Sequence, residues 1–337
     1  MEIENELAGK TTPGDLMGVE PGEKLEQPLG PGAQLGNADL AGRDLSGLDL
    51  SGANLEGADL SGAQLFRTRL AGANLERANL EGAELLGADL SGADLEGARL
   101  VRAGLGAAVM TGANLFGADL TEAALNDANF ERADLRTACL DRARMAGARL
   151  ESVKAAHANF SGADLSGVLV SNADLEGADL RSARLSSVLG YISANWIGVD
   201  LRDADFTGGR LVERHIRDEN YIEEFRRSSR QARVVHWFWA VTSDCGRSIL
   251  RWGLTTGVVV LAFAFLYTVV AIDFGEHSTR LSPLYFSLVT MTTLGYGDVL
   301  PVSAWAQLVS MCQVVIGYVM LGGMLSIFSN RMARRSD

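Results

Sequence analysis

The chain has 337 residues, 47% of them hydrophobic and 21% charged, with a formal net charge of −12. That length accommodates two or three domains, and the charge is unevenly divided: residues 1–210 hold 32 acidic and 18 basic side chains, net −14, whereas residues 211–337 hold 10 and 12, net +2. An acidic half followed by a near-neutral apolar half argues against a uniformly soluble acidic protein and predicts a water-facing domain joined to a membrane segment.

Residues 1–32 are rich in Gly, Pro and Glu and read as a disordered tail. Their acidic start lacks the apolar core of a secretory signal. The three cysteines, Cys139, Cys245 and Cys312, form no CxxC pair and no even-numbered framework, which points to a reduced, cytosolic setting for the soluble part.

From Ala33 onward a five-residue frame takes over, as in "ADLSGADLEGARL". Of the 31 positions numbered in multiples of five from Leu35 to Leu185, 25 are Leu and the others are Met110, Phe130, Met145, Ala155, Phe160 and Val170. Two places earlier, 26 of the 31 residues are Ala, so the pattern is too regular to be compositional accident. Period five fits neither regular element. On a helix it rotates each Leu by about 140°, and on a strand an odd step sends each Leu to the opposite face. It fits a chain whose Ala and Leu point inward from one short extended side before a corner of small, turn-prone residues. Four corners close a coil of 20 residues, and a spacing of about 4.8 Å between coils makes a rod roughly 35–40 Å long.

This pattern resembles the pentapeptide-repeat family, which implies a right-handed quadrilateral β-helix over residues 33–208. The frame degenerates at "VLVSN" and "VLGYI" and slips by one residue before "VDLRDADFTG". A core of stacked Leu and Ala leaves no ligand cavity, so function is expected on the outer faces or ends. Two readings fit that surface: a solvated acidic rod, or a docking surface for a cytoplasmic protein partner. Some soluble members of the family mimic DNA and bind topoisomerases. Here Arg67, Arg69, Arg99, Arg102, Arg132, Arg136, Arg142, Arg144 and Arg149 interrupt any uniform acidic face, and no nucleic-acid partner is expected.

Residues 209–251 break the repeat and read as an amphipathic linker. Arg226, Arg227, Arg230 and Arg233, followed by Trp237, Phe238 and Trp239, suit a helix lying in the cytoplasmic membrane interface. Its first half also suits a cap over the open end of the β-helix.

Residues 252–330 contain two uncharged stretches, Gly253 to Ile272 and Val299 to Asn330, each long enough to span a bilayer. Arginines precede the first and follow the second, as Arg331, Arg334 and Arg335 in a basic tail over 331–337. Both termini are therefore expected in the cytoplasm of a multi-pass protein of the cell membrane. Between the spans lies "SPLYFSLVTMTTLGYGD". Ser282 suits a helix cap and Pro283 a first turn, predicting a short helix from Pro283 to about Thr292 that returns as extended chain. Non-helical backbone at membrane depth is tolerated only inside protein or along a watery path. Gly295 and Gly297 permit the backbone conformations that line up successive carbonyls, with Tyr296 packed behind as a strut.

"TTLGYGD" resembles the selectivity filter of two-helix potassium channels, with Leu294 where Val or Ile is more usual. The resemblance, over roughly residues 250–330, implies a homotetramer in a lipid bilayer whose filter binds potassium through Thr293, Leu294, Gly295, Tyr296 and Gly297, supported by Thr292 and Asp298. It implies no other metal and no cofactor beyond the permeant ion. Val289 stands where some relatives carry a glutamate that braces the outer acid, which leaves Tyr285 as a partner for Asp298. Gly317 matches the inner-helix hinge; Gly322 and Gly323 sit either at a cytoplasmic constriction or where helices pack closely.

The expected whole is a mixed chain, a pentapeptide-repeat solenoid followed by an α-helical pore domain. It conducts potassium, is modulated by the cytoplasmic solenoid and is not an enzyme. A weakly selective cation channel and a membrane-anchored binding module are the alternatives.

Overall fold

A computed structural model describes residues 29–275, 279–295, 297 and 299–333. The chain divides into two compact units between Asn220 and Tyr221.

In the first unit the corner chemistry can be followed at one repeat. Ala53 N donates to the Leu50 carbonyl at 3.0 Å, closing a four-residue turn whose third member, Gly52, has φ +65. Glycine adopts that left-handed conformation without penalty. Elsewhere Arg67, Arg77, Glu122 and Arg132 occupy the same corner with φ between 51 and 59. The Asp or Asn between Ala and Leu explains itself here: Asp49 Oδ1 accepts from Ser51 N at 3.1 Å, bonding the backbone two residues on and presetting the corner. The side then pairs with the next coil. Leu55 N donates to Asn74 O at 2.7 Å, and Asn74 N donates to Ala53 O at 2.9 Å.

Parallel bridges join residue i to i+20 from Gln34↔Asn54 to Leu169↔Leu189, so each coil has four five-residue sides. All 31 leucine-type positions are buried in one continuous core. The frame slip is an inserted residue: from Asp174↔Asn195 onward the bridge spacing is 21. A 3-10 turn at Tyr191–Ser193 takes up the extra residue, and Trp196 fills the next inward position, buried, with its Nε1–H donating to Tyr191 O at 2.8 Å.

Residues 29–32 correct the expected tail boundary. Leu29 packs against the core, Gly32 N donates to Ser51 O, and Ala33 N donates to Gly30 O, so the first coil begins inside the segment assigned to disorder. The rest of that tail lies outside the described residues. At the far end, α1 (Arg210–Ser228) places Val212 and Ile216 in the solenoid core. Asn220 bonds the last coil twice, accepting from Gly198 N and donating to Trp196 O. The first half of the linker is thus a cap.

In the second unit, Ser229 ends α1. Its extended backbone interrupts the helix, and its side chain caps α2 (Arg230–Ser243) by accepting from Ala232 N. The single linker helix expected over 209–251 is therefore two helices and a corner. The corner runs through Asp244, Cys245 and Gly246, all with positive φ. The next helix, α3 (Ile249–Val269), starts before the expected span and ends three residues short of it. Ile272–Asp273 (β1) instead pairs antiparallel with Leu300–Pro301 (β2), tying the two ends of the loop together. Between them runs α4 (Ser282–Met291), and α5 (Ala304–Ala333) closes the unit, extending as helix into the segment expected to be a basic tail.

Two of these helices, α3 and α5, are long and apolar enough to cross a membrane, and only 17% of either one's most apolar window is buried within the chain. A soluble core helix would be mostly buried, so these apolar faces await lipid or further protein.

Candidate functional site

The short helix α4 presents the functional stretch. Pro283 lies in its first turn as expected, but the cap is Leu281, which already has near-helical dihedrals and makes no side-chain bond. Ser282 is inside the helix, and its Oγ accepts from Thr279 N at 2.7 Å. The apolar Phe286, Val289 and Met291 bury the helix against α3 and α5.

A polar bridge holds α4 at this depth. Gln313 of α5 donates from Nε2 to both the carbonyl (2.9 Å) and the hydroxyl (2.7 Å) of Ser287. Ser287 Oγ donates to Val260 O on α3 at 2.7 Å, and Tyr267 OH donates to Gln313 Oε1 at 2.6 Å. Gln313 and Ser287 are fully buried and Tyr267 nearly so. Every donor and acceptor of the Gln313 amide is thereby used, as a buried polar group requires. One turn further, Gly317 lies against α4: a Cβ there would stand 2.4 Å from Met291 O. Gly317, expected as a hinge, is here a point of close approach between α5 and the end of α4.

The C-terminal end of α4 is closed by a Schellman motif. Leu294 N donates to Val289 O and Thr293 N to Thr290 O, both at 3.1 Å, with Thr293 in the left-handed region at φ 57. A β-branched residue there stores strain of about 1–3 kcal/mol, sustained because the turn consumes both amides. Thr292 donates its hydroxyl to Leu288 O at 2.9 Å. The amides of Thr293 and Leu294 thus point back into the helix, and among the described residues no hydrogen bond reaches the carbonyls of Thr293, Leu294 or Gly295. Gly295 and Gly297 have φ +49 and +76, and nothing lies within 4 Å of a Cβ built on either. Leu294 is 59% exposed. Beyond Thr293 the stretch is non-helical chain, with positive φ at both Gly295 and Gly297.

Tyr296 and Asp298 lie outside the described residues, and so do the expected strut and the Tyr285–Asp298 bond. Tyr285 itself is on the exposed side of α4.

The remaining predicted residues fall in different surroundings. Gly322 faces open space, but Gly323 is covered: a Cβ there would stand 2.3 Å from Trp252 Cζ2, so the glycine seats that indole. In the linker, Arg226 and Arg227 both hold Glu223 Oε1 at 2.6 Å, and these bonds keep the Glu223 carboxyl below its ordinary range. Arg230 and Arg233 stay exposed beside the outward stripe Val234, Trp237, Phe238 and Val241. Trp239 departs from its expected place in that stripe; it is turned inward and half-buried over Gly246, because it lies on the opposite side of the helix.

Sequence reasoning missed Trp252, Tyr267, Ser287 and Gln313. The available signal was Gln313, an amide in the middle of an apolar stretch, since a polar residue at membrane depth is costly and marks a role.

Comparison with known proteins adds to this geometry. The ion channel family matches residues 255–334, from the first turns of α3 through α4 to the end of α5. Pentapeptide repeats match in eight copies over 33–70, 68–105, 113–151 and 156–188. The chain carries pentapeptide repeats followed by an ion-channel domain. The channel domain is similar to Two pore potassium channel b of Oryza sativa subsp. japonica, 36% identical over 24% of this chain and 25% of that one. It is also similar to Two-pore potassium channel 1 of Arabidopsis thaliana, 39% identical over 16% and 15%. The chain thus spans a quarter or less of these curated relatives. The pentapeptide-repeat solenoid is similar to HetL from Nostoc sp. strain PCC 7120, a pentapeptide repeat protein involved in heterocyst differentiation regulation, at 31% identity over 52% of this chain and 87% of that one, with TM-score 0.24. A pentapeptide repeat protein of the Arabidopsis thaliana thylakoid lumen is 31% identical over 38% and 69%, with TM-score 0.20.

Proposed function

We propose that the chain is one subunit of a homotetrameric, potassium-selective channel. The observation that carries this reading is the chain at the end of α4, where, among the described residues, no hydrogen bond reaches the carbonyls of Thr293, Leu294 and Gly295, while the amides of Thr293 and Leu294 are spent on the helix cap. Four such stretches around an axis, continued by Tyr296 and the Thr293 hydroxyl, replace the hydration shell of potassium. Asp298 supplies the outer-mouth charge.

The call for further copies is supported by α5. Its buried side chains, Ala306, Gln313, Met320 and Ile327, recur every seven residues on one narrow stripe, whereas Trp305, Met311, Val315, Tyr318 and Leu325 are exposed. One chain covers a single face of this helix, and the others require lipid and neighbouring subunits. The arginines before α3 and after α5 orient both termini to the cytoplasm. The α2 stripe of Val234, Trp237, Phe238 and Val241, flanked by Arg230 and Arg233, suits the interface on that side. The solenoid acts as a cytoplasmic modulator of opening.

The test is reconstitution of the full chain in liposomes with an outward potassium gradient. The expected result is potassium flux with a bi-ionic potential far from zero when sodium replaces potassium on one side. A potential near zero replaces this reading with a weakly selective cation pore. Absence of any flux leaves the pentapeptide repeats as the working part, with the spans as an anchor.

A further inference from the structure

The corner between α2 and α3 is tightly bonded. Ser248 N donates to Ser243 O at 2.9 Å, Gly246 N to Ser243 Oγ at 3.0 Å, and Thr255 Oγ1 to Thr242 O at 3.3 Å. Thr242 and Ser243 are buried there. Such a corner makes α2 and the base of α3 move together. Trp252 stands in the first turn of α3, and its Nε1–H donates at 2.8 Å to Met320 O on α5, 68 residues away in sequence. That carbonyl lies within a helix, so its backbone acceptor role is already met; the indole uses the second lone pair. Gly323 leaves room for the ring, which would collide with any Cβ at that position. Ile249, Val260, Met291 and Ile327 surround the contact with apolar packing. The bond therefore joins the linker to α5 on the stretch beyond Gly317, while Gln313 and Gly317 fasten the preceding stretch to α4.

We infer that Trp252 is a positioning residue for opening: seated on Gly323 and bonded to Met320, it transmits movement of the α2 linker to the cytoplasmic half of α5. This rests on the channel reading above. It gives the linker a route to the inner helix that chain connectivity denies it, because the linker precedes α3 and not α5. The seat is specific in two respects. An indole N–H is needed to reach the carbonyl, and the absence of a side chain at 323 is needed to admit the ring.

The experiment is single-channel recording of the full chain in planar bilayers, comparing wild type with Trp252→Phe, Gly323→Ala and the double variant. Size-exclusion chromatography and bi-ionic potentials are measured alongside. Trp252→Phe keeps a ring and removes the hydrogen bond. Loss of one such bond changes open probability by about fivefold, with oligomer and selectivity as in wild type. Gly323→Ala shifts open probability in the same direction, and the double variant adds little, as expected for two residues of one contact. Wild-type open probability in Trp252→Phe overturns the inference while leaving the channel reading intact. So do additive effects, or a shift accompanied by lost oligomer or selectivity, which mark a merely structural contact. Absence of current from the wild-type chain overturns both.

Discussion

The solenoid and the channel domain treat their apolar side chains in opposite ways. In the solenoid, Leu80, Leu90 and Leu100 are wholly buried by the coils above and below, and each coil bonds its neighbours. In the channel domain, Leu250, Phe265 and Trp305 are 70%, 71% and 74% exposed. The first region completes its core within one chain. The second does not: these side chains stay uncovered within one chain, and the proposed channel covers them with lipid and other copies. The difference teaches where a partner surface is needed: the part that is finished alone offers only its outer faces, and the part left unfinished holds the stretch proposed above to bind the ion.

That contrast can be broken at its strongest point by Gly295→Ala. Gly295 has φ +49 with no neighbour to clash, so the change costs only the backbone strain of a left-handed residue, about 1 kcal/mol, and acts through the carbonyl direction. Potassium flux in liposomes is expected to fall to the protein-free background, with the oligomer intact by size exclusion. In the solenoid the comparable loss needs a charge in the core. Leu100→Asp buries a carboxylate without a partner and is expected to cost more than about 4 kcal/mol, seen as early loss of the β signal in thermal melts. Because solenoid coils contact only their neighbours, the channel domain should keep its helical signal in the same melt.

Smaller changes sharpen the comparison. Gly317→Ala forces a methyl toward Met291 O and is expected to destabilise the packing of α5 on α4 by about 1–3 kcal/mol, read as a lower melting temperature of the helical signal. Gly52→Ala meets nothing within 4 Å, so it isolates the backbone cost of a left-handed corner, about 1 kcal/mol in a denaturant titration. The smallest effect is electrostatic. Hydrogen bonds from the Arg202 side chain hold Asp200 down to about 2, from an ordinary 3.8. Arg136 and Arg181 likewise lower Asp134 and Asp179. Each folded carboxyl prefers its charged form, so its stabilising contribution is complete above the ordinary carboxylate range and is lost as pH falls from 3.8 toward 2. The melting temperature of the solenoid is expected to hold to about pH 4 and decline below it, whereas Arg202→Gln should flatten that decline.

The five-residue frame could be read directly because each coil is set by local corners: Leu, then a small residue, then Gly or a tolerated substitute, repeated without change of frame. The slip near Tyr191 was legible as a slip, but its accommodation by a 3-10 turn and by Trp196 was not. The placement of Gly295 and Gly297 was legible for the same local reason, both standing where the backbone turns left-handed. Ser229 as a helix break was not, since a lone serine between two helical compositions carries no periodic signal.

Composition, period and motif, all properties of neighbouring residues, determined by themselves that this chain joins a solenoid to two long apolar helices with a short helix and a glycine-bearing turn between them. Only the tertiary structure decided that Gln313 binds Ser287 and Tyr267, that Gly317 and Gly323 are seats for Met291 and Trp252, and that Thr293 closes α4. Partners 26, 46 or 68 residues apart leave no mark on local pattern, because a hydrogen bond depends on where the fold brings two atoms and not on how the chain runs between them.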